Sequence, residues 1–263
     1  MSDSNGEIKA CCAGFYQSDI VRMLLGDVLH PGGLELTRHL GEVLALTSSD
    51  TVIDVACGRG TSAVHLAKSF GCHVTGTDFA ADNLAKAEAL AASQGVAGLT
   101  RFQLGDAEQL PFDDVSFHAV ISECSLCTFP DKRTAVEEMM RVLQPGGRLG
   151  ITDVTVGSTL PDDIKSVLGW VACVAGAAST TDYVRLLVEA GFSNFTVEDH
   201  RGTGKALVED VRRKLLGLEM VAELGKLDLG VVDPKGTREV LRRVSTLIDE
   251  GVIGYALIAA SKT

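Results

Sequence analysis

The stretch Val52-Ile-Asp-Val-Ala-Cys-Gly-Arg-Gly60 constrains this chain more than any other. A β-branched run, Thr51–Ala56, leads into a Gly-X-Gly turn and then into apolar residues at helical spacing over 61–70. Such a run suits a buried strand. Glycines at the turn permit a tight backbone and close approach of a ligand, and the following helix offers its N-terminus. In open α/β sheets a turn of this kind lies at the carboxyl edge of the strands, where ligands bind.

The alternation continues along the chain. His73–Thr77, Thr100–Leu104, Phe117–Ser122 and Arg148–Asp153 read as further strands, with helices at 33–46, Ala80–Ser93 and Lys132–Leu143. Beyond Gly191, Phe195–Glu198 and Gly254–Ser261 read as strands, with helical patterns at 204–225 and 234–250 between them. Strand and helix in alternation mean parallel strands with right-handed crossovers. With 263 residues, 46% of them apolar, the chain can bury one large core. The expected fold is a Rossmann-like α/β domain over residues 34–263, a mostly parallel seven-stranded sheet with helices on both faces. A helical N-terminal arm over 1–33 precedes it, and a helical insertion occupies about 202–250.

The acidic residues around the turn say which ligand fits. Asp78, closing the second strand, is placed to accept hydrogen bonds from ribose hydroxyls at the spacing such folds use. A dinucleotide site wants a third glycine; Ala63 there is an allowed substitute, so the glycine spacing alone does not discriminate. Asp54 does. A carboxylate inside the first strand repels a pyrophosphate and tolerates a cationic amino-acid sulfonium. After the third strand, in Gly105-Asp-Ala-Glu-Gln-Leu-Pro-Phe112, Asp106 is positioned to accept from an exocyclic adenine amine, with Leu110 and Phe112 as apolar wall.

Together these segments resemble motifs I to III of class I S-adenosylmethionine-dependent methyltransferases. Leu143-Gln-Pro-Gly-Gly-Arg-Leu149 is similar to that family's turn before the fifth strand, so the resemblance spans about residues 40–155. It implies a methyltransferase whose cofactor is S-adenosyl-L-methionine, bound by Asp54, Ala56, Gly58, Gly60, Asp78, Phe79, Asp106, Ala107 and Glu123. The aromatic, glycine-rich segment from Phe15 to Gly33 is expected to form a lid, with Tyr16 near the methyl donor; plain helical packing on the sheet is the alternative.

For the acceptor, Ser122-Glu-Cys-Ser-Leu-Cys-Thr-Phe-Pro-Asp-Lys132 resembles a stretch of arsenite methyltransferases, with Glu123-Cys124 where that family has Asn-Cys. Trp170-Val-Ala-Cys-Val-Ala-Gly-Ala177, followed by Tyr183–Phe192, is similar to that family's arsenic-binding cysteine and its Ala-Gly-Phe element. Cys11-Cys12 resemble the paired cysteines some of those enzymes carry upstream. The resemblance implies Cys173, one of Cys11 and Cys12, and Cys124 as candidate ligands of trivalent arsenic, arsenite or methylarsenite. Trivalent arsenic is soft and thiophilic, which suits thiolates. It carries no proton, so its methylation needs no general base. The chain departs from the fuller enzymes in having no cysteine after Cys173, which limits the ligand thiols to three. Two alternatives stay open: C- or O-methylation of a small apolar metabolite such as a quinone, with His30 or His39 as base, or thiol-based metalloid binding without turnover.

Charge and cysteine usage narrow the partners. A net charge of −11 disfavours nucleic acid, and the run Lys205 to Lys214 reads as a solvated helix face. No apolar run approaches the ~20 residues that span a bilayer, and the polar start lacks a signal-peptide pattern. Seven cysteines, an odd count, suit free thiols in a reducing cytoplasm. Cys124-X-X-Cys127 is a single pair, so no metal centre is expected. The partner expected is a small molecule or metalloid, and the oligomeric state is open.

Overall fold

The computed structural model describes residues 23, 24, 26, 28, 30–158, 160, 174, 176–223 and 234–263. Helix α1 (Gly33–Val43) leads into β1 (Thr51–Val55), α2 (Thr61–Phe70), β2 (His73–Asp78), α3 (Ala81–Ser93) and β3 (Thr100–Leu104). The second half runs β4 (Phe117–Glu123), α4 (Lys132–Val142), β5 (Leu143–Val156), α5 (Thr180–Glu189) and β6 (Phe192–Asp199). Helices α6 (Arg201–Glu223) and α7 (Pro234–Asp249) then precede β7 (Ile253–Lys262). The seven strands form one sheet in the order β3-β2-β1-β4-β5-β7-β6. Strands β1 to β5 pair in parallel, and β7 runs antiparallel to both β5 and β6. This is the Rossmann-like class I methyltransferase arrangement expected from the sequence.

The central strands are covered on both faces. Val52 faces a cluster with Leu40, Leu66 and Leu257, while Ile53 and Val55 face another with Met139, Leu149 and Leu187. Alternating side chains of one strand reach opposite layers, so a strand buried on both sides reads as an unbroken apolar run. That makes an acid within it conspicuous. Arg148 ties the end of α1 to the sheet: its guanidinium donates to the carbonyls of Leu44 and Ala45 and to the Asp50 carboxylate. Leu24, from the end of the N-terminal arm, packs with Val211, Leu215 and Leu241 of α6 and α7.

The starts of two strands differ from the sequence reading at bulges. Strand β5 begins at Leu143, which pairs with Phe117, while Arg148 pairs with Ala119, so residues 144–147 bulge out of the ladder. Strand β6 begins at Phe192 rather than Phe195; its register shifts between Ser193 and Thr196, with Asn194 at φ +54°. A bulge breaks the period-2 pattern by which strands are read. The basic run of α6 is paired with acids: Lys205 with Asp249, and Arg213 and Lys214 with Asp210. Among the described residues no helix is long and apolar enough to cross a membrane.

Candidate active site

Strand β1 ends in a turn with three left-handed residues, Ala56 at φ +61°, Gly58 at +54° and Gly60 at +73°. The two glycines serve different ends. A Cβ on Gly60 would lie 2.7 Å from both the Ala87 methyl and the Phe102 ring, so Gly60 lets α2 pack close to α3 and β3. A Cβ on Gly58 would meet nothing within 4 Å, because Gly58 faces the open space of a cavity.

That cavity sits at the carboxyl edge of β1, β2 and β4. Asp54, Ala56, Gly58, Asp78, Phe79, Asp106, Ala107, Glu123 and Cys124, all drawn from the sequence reading, line it together. Gly60 stands just behind the lining, as the N-cap of α2. Cys11, Cys12, Tyr16 and Cys173 lie outside the described residues. Leu110 and Phe112 are a correction: both pack into the core beneath the sheet, Phe112 edge-on to Phe117, and neither forms cavity wall. The exposed Phe79 ring and Ala107 provide the apolar surface instead.

Asp78 holds the turn. Its Oδ2 accepts from the Gly58 N–H at 2.8 Å, and its Oδ1 accepts from the Ala80 N–H at 2.9 Å and from the Asn83 amide at 3.1 Å. A carboxylate oxygen has two lone pairs, so acceptor capacity remains toward the cavity. Asp106 braces its own loop by accepting at Oδ1 from the Glu108 N–H at 3.0 Å.

Asp54 is 2% exposed, and its Oδ2 has no hydrogen-bond partner. Burial pushes its carboxyl well above the usual carboxylate range, and the charges of Glu123 and Asp78 push the same way, opposed by the Ala63 backbone N–H. Glu123, its side chain 3% exposed, accepts from the Thr37 hydroxyl at 2.9 Å. Three acidic side chains are gathered out of water, one of them with an orphaned oxygen, and a bound cation would favour their charged forms. An open glycine edge beside them admits the main chain of a ligand. These residues fit an aminoacyl nucleoside carrying positive charge, which is what S-adenosyl-L-methionine is.

The same acids set up a trade of stability for binding. Because the folded carboxyl of Asp54 lies above its unfolded value, folding takes up a proton there, and the associated stability is lost as pH rises through the folded value. Asp54→Asn is therefore expected to stabilise the donor-free protein by about 1–3 kcal/mol at neutral pH, while weakening donor binding. Melting curves without donor, recorded across pH, should separate the two proteins increasingly from acid toward neutral. A wild type that melts higher than Asp54→Asn at neutral pH contradicts this reading.

Other residues stand on the cavity wall beside the expected donor ligands. His30, 8% exposed, places Nε2 3.6 Å from Glu123 Oε2 and 3.4 Å from the hydroxyls of Thr37 and Ser62. The sequence offered it, together with His39, as the base of an O-methylation; of the two, His30 lines the cavity and His39 does not. Cys57 also lines the cavity, but burial, with the neighbouring Asp54 and Asp78, pushes its thiol well up, which disfavours the nucleophilic thiolate. Cys72, pushed up to about 11 by burial, lies in the core. Cys127 is also core, its N–H donating to Asp153 at 2.9 Å. Cys124 differs from these: it is half-buried on the cavity wall, at φ +53°, with its N–H donating to the Thr152 carbonyl.

A family model described as a methyltransferase domain matches residues 46–191. The chain is 31% identical over 228 residues to O-methyltransferase resE of Aspergillus sclerotiorum, covering 86% of this chain and 81% of that one. It is 35% identical over 154 residues to an arsenite methyltransferase of Halobacterium salinarum, covering 56% of this chain and 38% of that one. Among solved structures it is similar to Haemonchus contortus phosphoethanolamine N-methyltransferase 2 in complex with S-adenosyl-L-methionine. The TM-score is 0.82 at 20% identity, covering 97% of this chain and 60% of that one.

Proposed function

The chain belongs to the class I S-adenosylmethionine-dependent methyltransferases, and we propose that its methyl acceptor is trivalent arsenic, arsenite or methylarsenite, held by cysteine thiolates. S-adenosyl-L-methionine, when bound, supplies a methyl group on a positively charged sulfonium. The observation that carries the reading is the place of Cys124, on the wall of the same cavity as Gly58, Asp78 and Asp106. A thiol on this wall would offer a soft donor, which a soft metalloid prefers and an alcohol does not need. Cys173 and one of Cys11 and Cys12 complete the ligand set that the resemblance to arsenite methyltransferases implies. Thiolates would hold arsenic with its lone pair clear for the incoming methyl, so the task of the protein is positioning rather than proton transfer.

A second reading, O-methylation of a small apolar metabolite, is supported by His30. It lines the same cavity beside Glu123, where an imidazole could take a hydroxyl proton. The match that spans 86% of the chain, to resE, points the same way. Incubation with donor and either arsenicals or quinols, for wild type and Cys173→Ser, separates the two. Methylated arsenic from wild type, lost in Cys173→Ser, supports the proposal. Equal arsenic methylation by both proteins refutes the thiolate mechanism, and methylated quinol without methylated arsenic favours the second reading.

A further inference from the structure

We infer that His39, Glu198 and His200 form a binding site for one divalent transition-metal ion of the zinc class, outside the donor cavity. Sequence spacing pointed to no metal centre, because the ligands come together only in the fold: His39 lies on α1 and Glu198 on β6, 159 residues on, with His200 in the link to α6. Their ligand atoms lie within 4.8 Å of one another, and no other such group is found among the described residues.

The geometry converges on a point. Oε2 of Glu198 is 2.7 Å from Nε2 of His39 and 2.9 Å from Nε2 of His200. The two rings are tilted by 54° with centroids 5.9 Å apart, so they are not stacked and their edges meet at the carboxylate. Two imidazole nitrogens and one carboxylate oxygen are a ligand set that zinc takes, with water in the open position. The side chains are 39%, 32% and 21% exposed, so water can reach that position. Bonds of about 2.1 Å at tetrahedral angles set ligand atoms roughly 3.4 Å apart, so the carboxylate oxygen would move about 0.5–0.7 Å farther from each imidazole nitrogen.

The supports are firm. The His200 N–H donates to the Tyr255 carbonyl at 2.7 Å, and Glu198 pairs in register with Leu257 of β7. His39 is followed on α1 by the fully buried Leu40. On the far side of the His39 ring, Glu42 Oε2 lies 3.8 Å from Nδ1, close enough that with a small shift it would accept a hydrogen bond from Nδ1–H and keep the Nε2 lone pair for the metal. An ion here would clamp α1 to the β6–α6 junction. That helix also carries Thr37, whose hydroxyl holds Glu123 in the donor cavity.

The test is equilibrium dialysis of chelator-stripped protein against zinc, comparing wild type with His39→Gln/His200→Gln, whose folding is checked by far-ultraviolet circular dichroism. Zinc held by the chain's cysteines is common to both proteins and cancels in the difference. Wild type is expected to bind one more equivalent and to gain Tm with zinc, a gain lost in the double variant. Cobalt in that extra site should give visible d–d bands without sulfur-to-cobalt charge transfer. Equal zinc uptake and equal Tm shifts in the two proteins, or a cobalt spectrum of thiolate character unchanged by the substitutions, overturn the inference. If the double variant does not fold, Glu198→Gln takes its place, with the same expected and contrary results.

Discussion

Cys124→Ser is expected to lower methyl transfer to trivalent arsenic by about 100-fold or more, the cost of misplacing a reacting atom by an ångström, with donor affinity unchanged. Serine keeps the shape and leaves intact the backbone bond from residue 124 to the Thr152 carbonyl, so the left-handed backbone at the end of β4 is undisturbed. What changes is softness: a hydroxyl is a poor ligand for a thiophilic atom. Cys127→Ser is the matched control. Cys127 is 1% exposed and packed in the core, so a hydroxyl there should lower Tm and leave the rate per folded molecule alone. Single-turnover transfer to methylarsenite, with donor affinity measured by calorimetry in parallel, reads both. Full transfer by Cys124→Ser would remove the thiol from the acceptor site.

Asp78→Ala should weaken S-adenosyl-L-methionine binding by roughly 10- to 100-fold. The carboxylate accepts three hydrogen bonds within the protein, and bonds to a charged group are worth about 1.5–3 kcal/mol each. Without it the Gly58 N–H loses its partner and the glycine edge facing the cavity loosens. Asparagine is not a rescue, because its amide nitrogen would face one of the donors that Asp78 now accepts from. The same loss removes one of the charges that push Asp54 upward, so Asp54 should ionise more readily in the variant. Calorimetric titration with donor, on protein shown to be folded, checks the effect. Unchanged affinity would assign Asp78 to the turn alone.

The parallel core was readable because parallel strands are buried on both faces and separated by helices, so each announces itself locally. The acid at Asp54 stood out for the same reason, a charge in a run that burial makes apolar. Bulges at 144–147 and near Asn194 hid the ends of β5 and β6, since a bulge breaks the period used to find a strand. Leu110 and Phe112 were misplaced because a loop has no period to say which side faces the core. Pairs such as His30 with Glu123, and His39 with Glu198, are products of the tertiary fold and leave no local trace. Cys173, which the resemblance ranks highest for arsenic, lies outside the described residues, as do Cys11 and Cys12.

Arsenic K-edge X-ray absorption on the protein loaded with methylarsenite measures the acceptor's surroundings directly. Sulfur neighbours around arsenic in the wild type, reduced in Cys124→Ser, are the predicted result; a shell of oxygen or nitrogen alone in the wild type would contradict a thiolate-held acceptor.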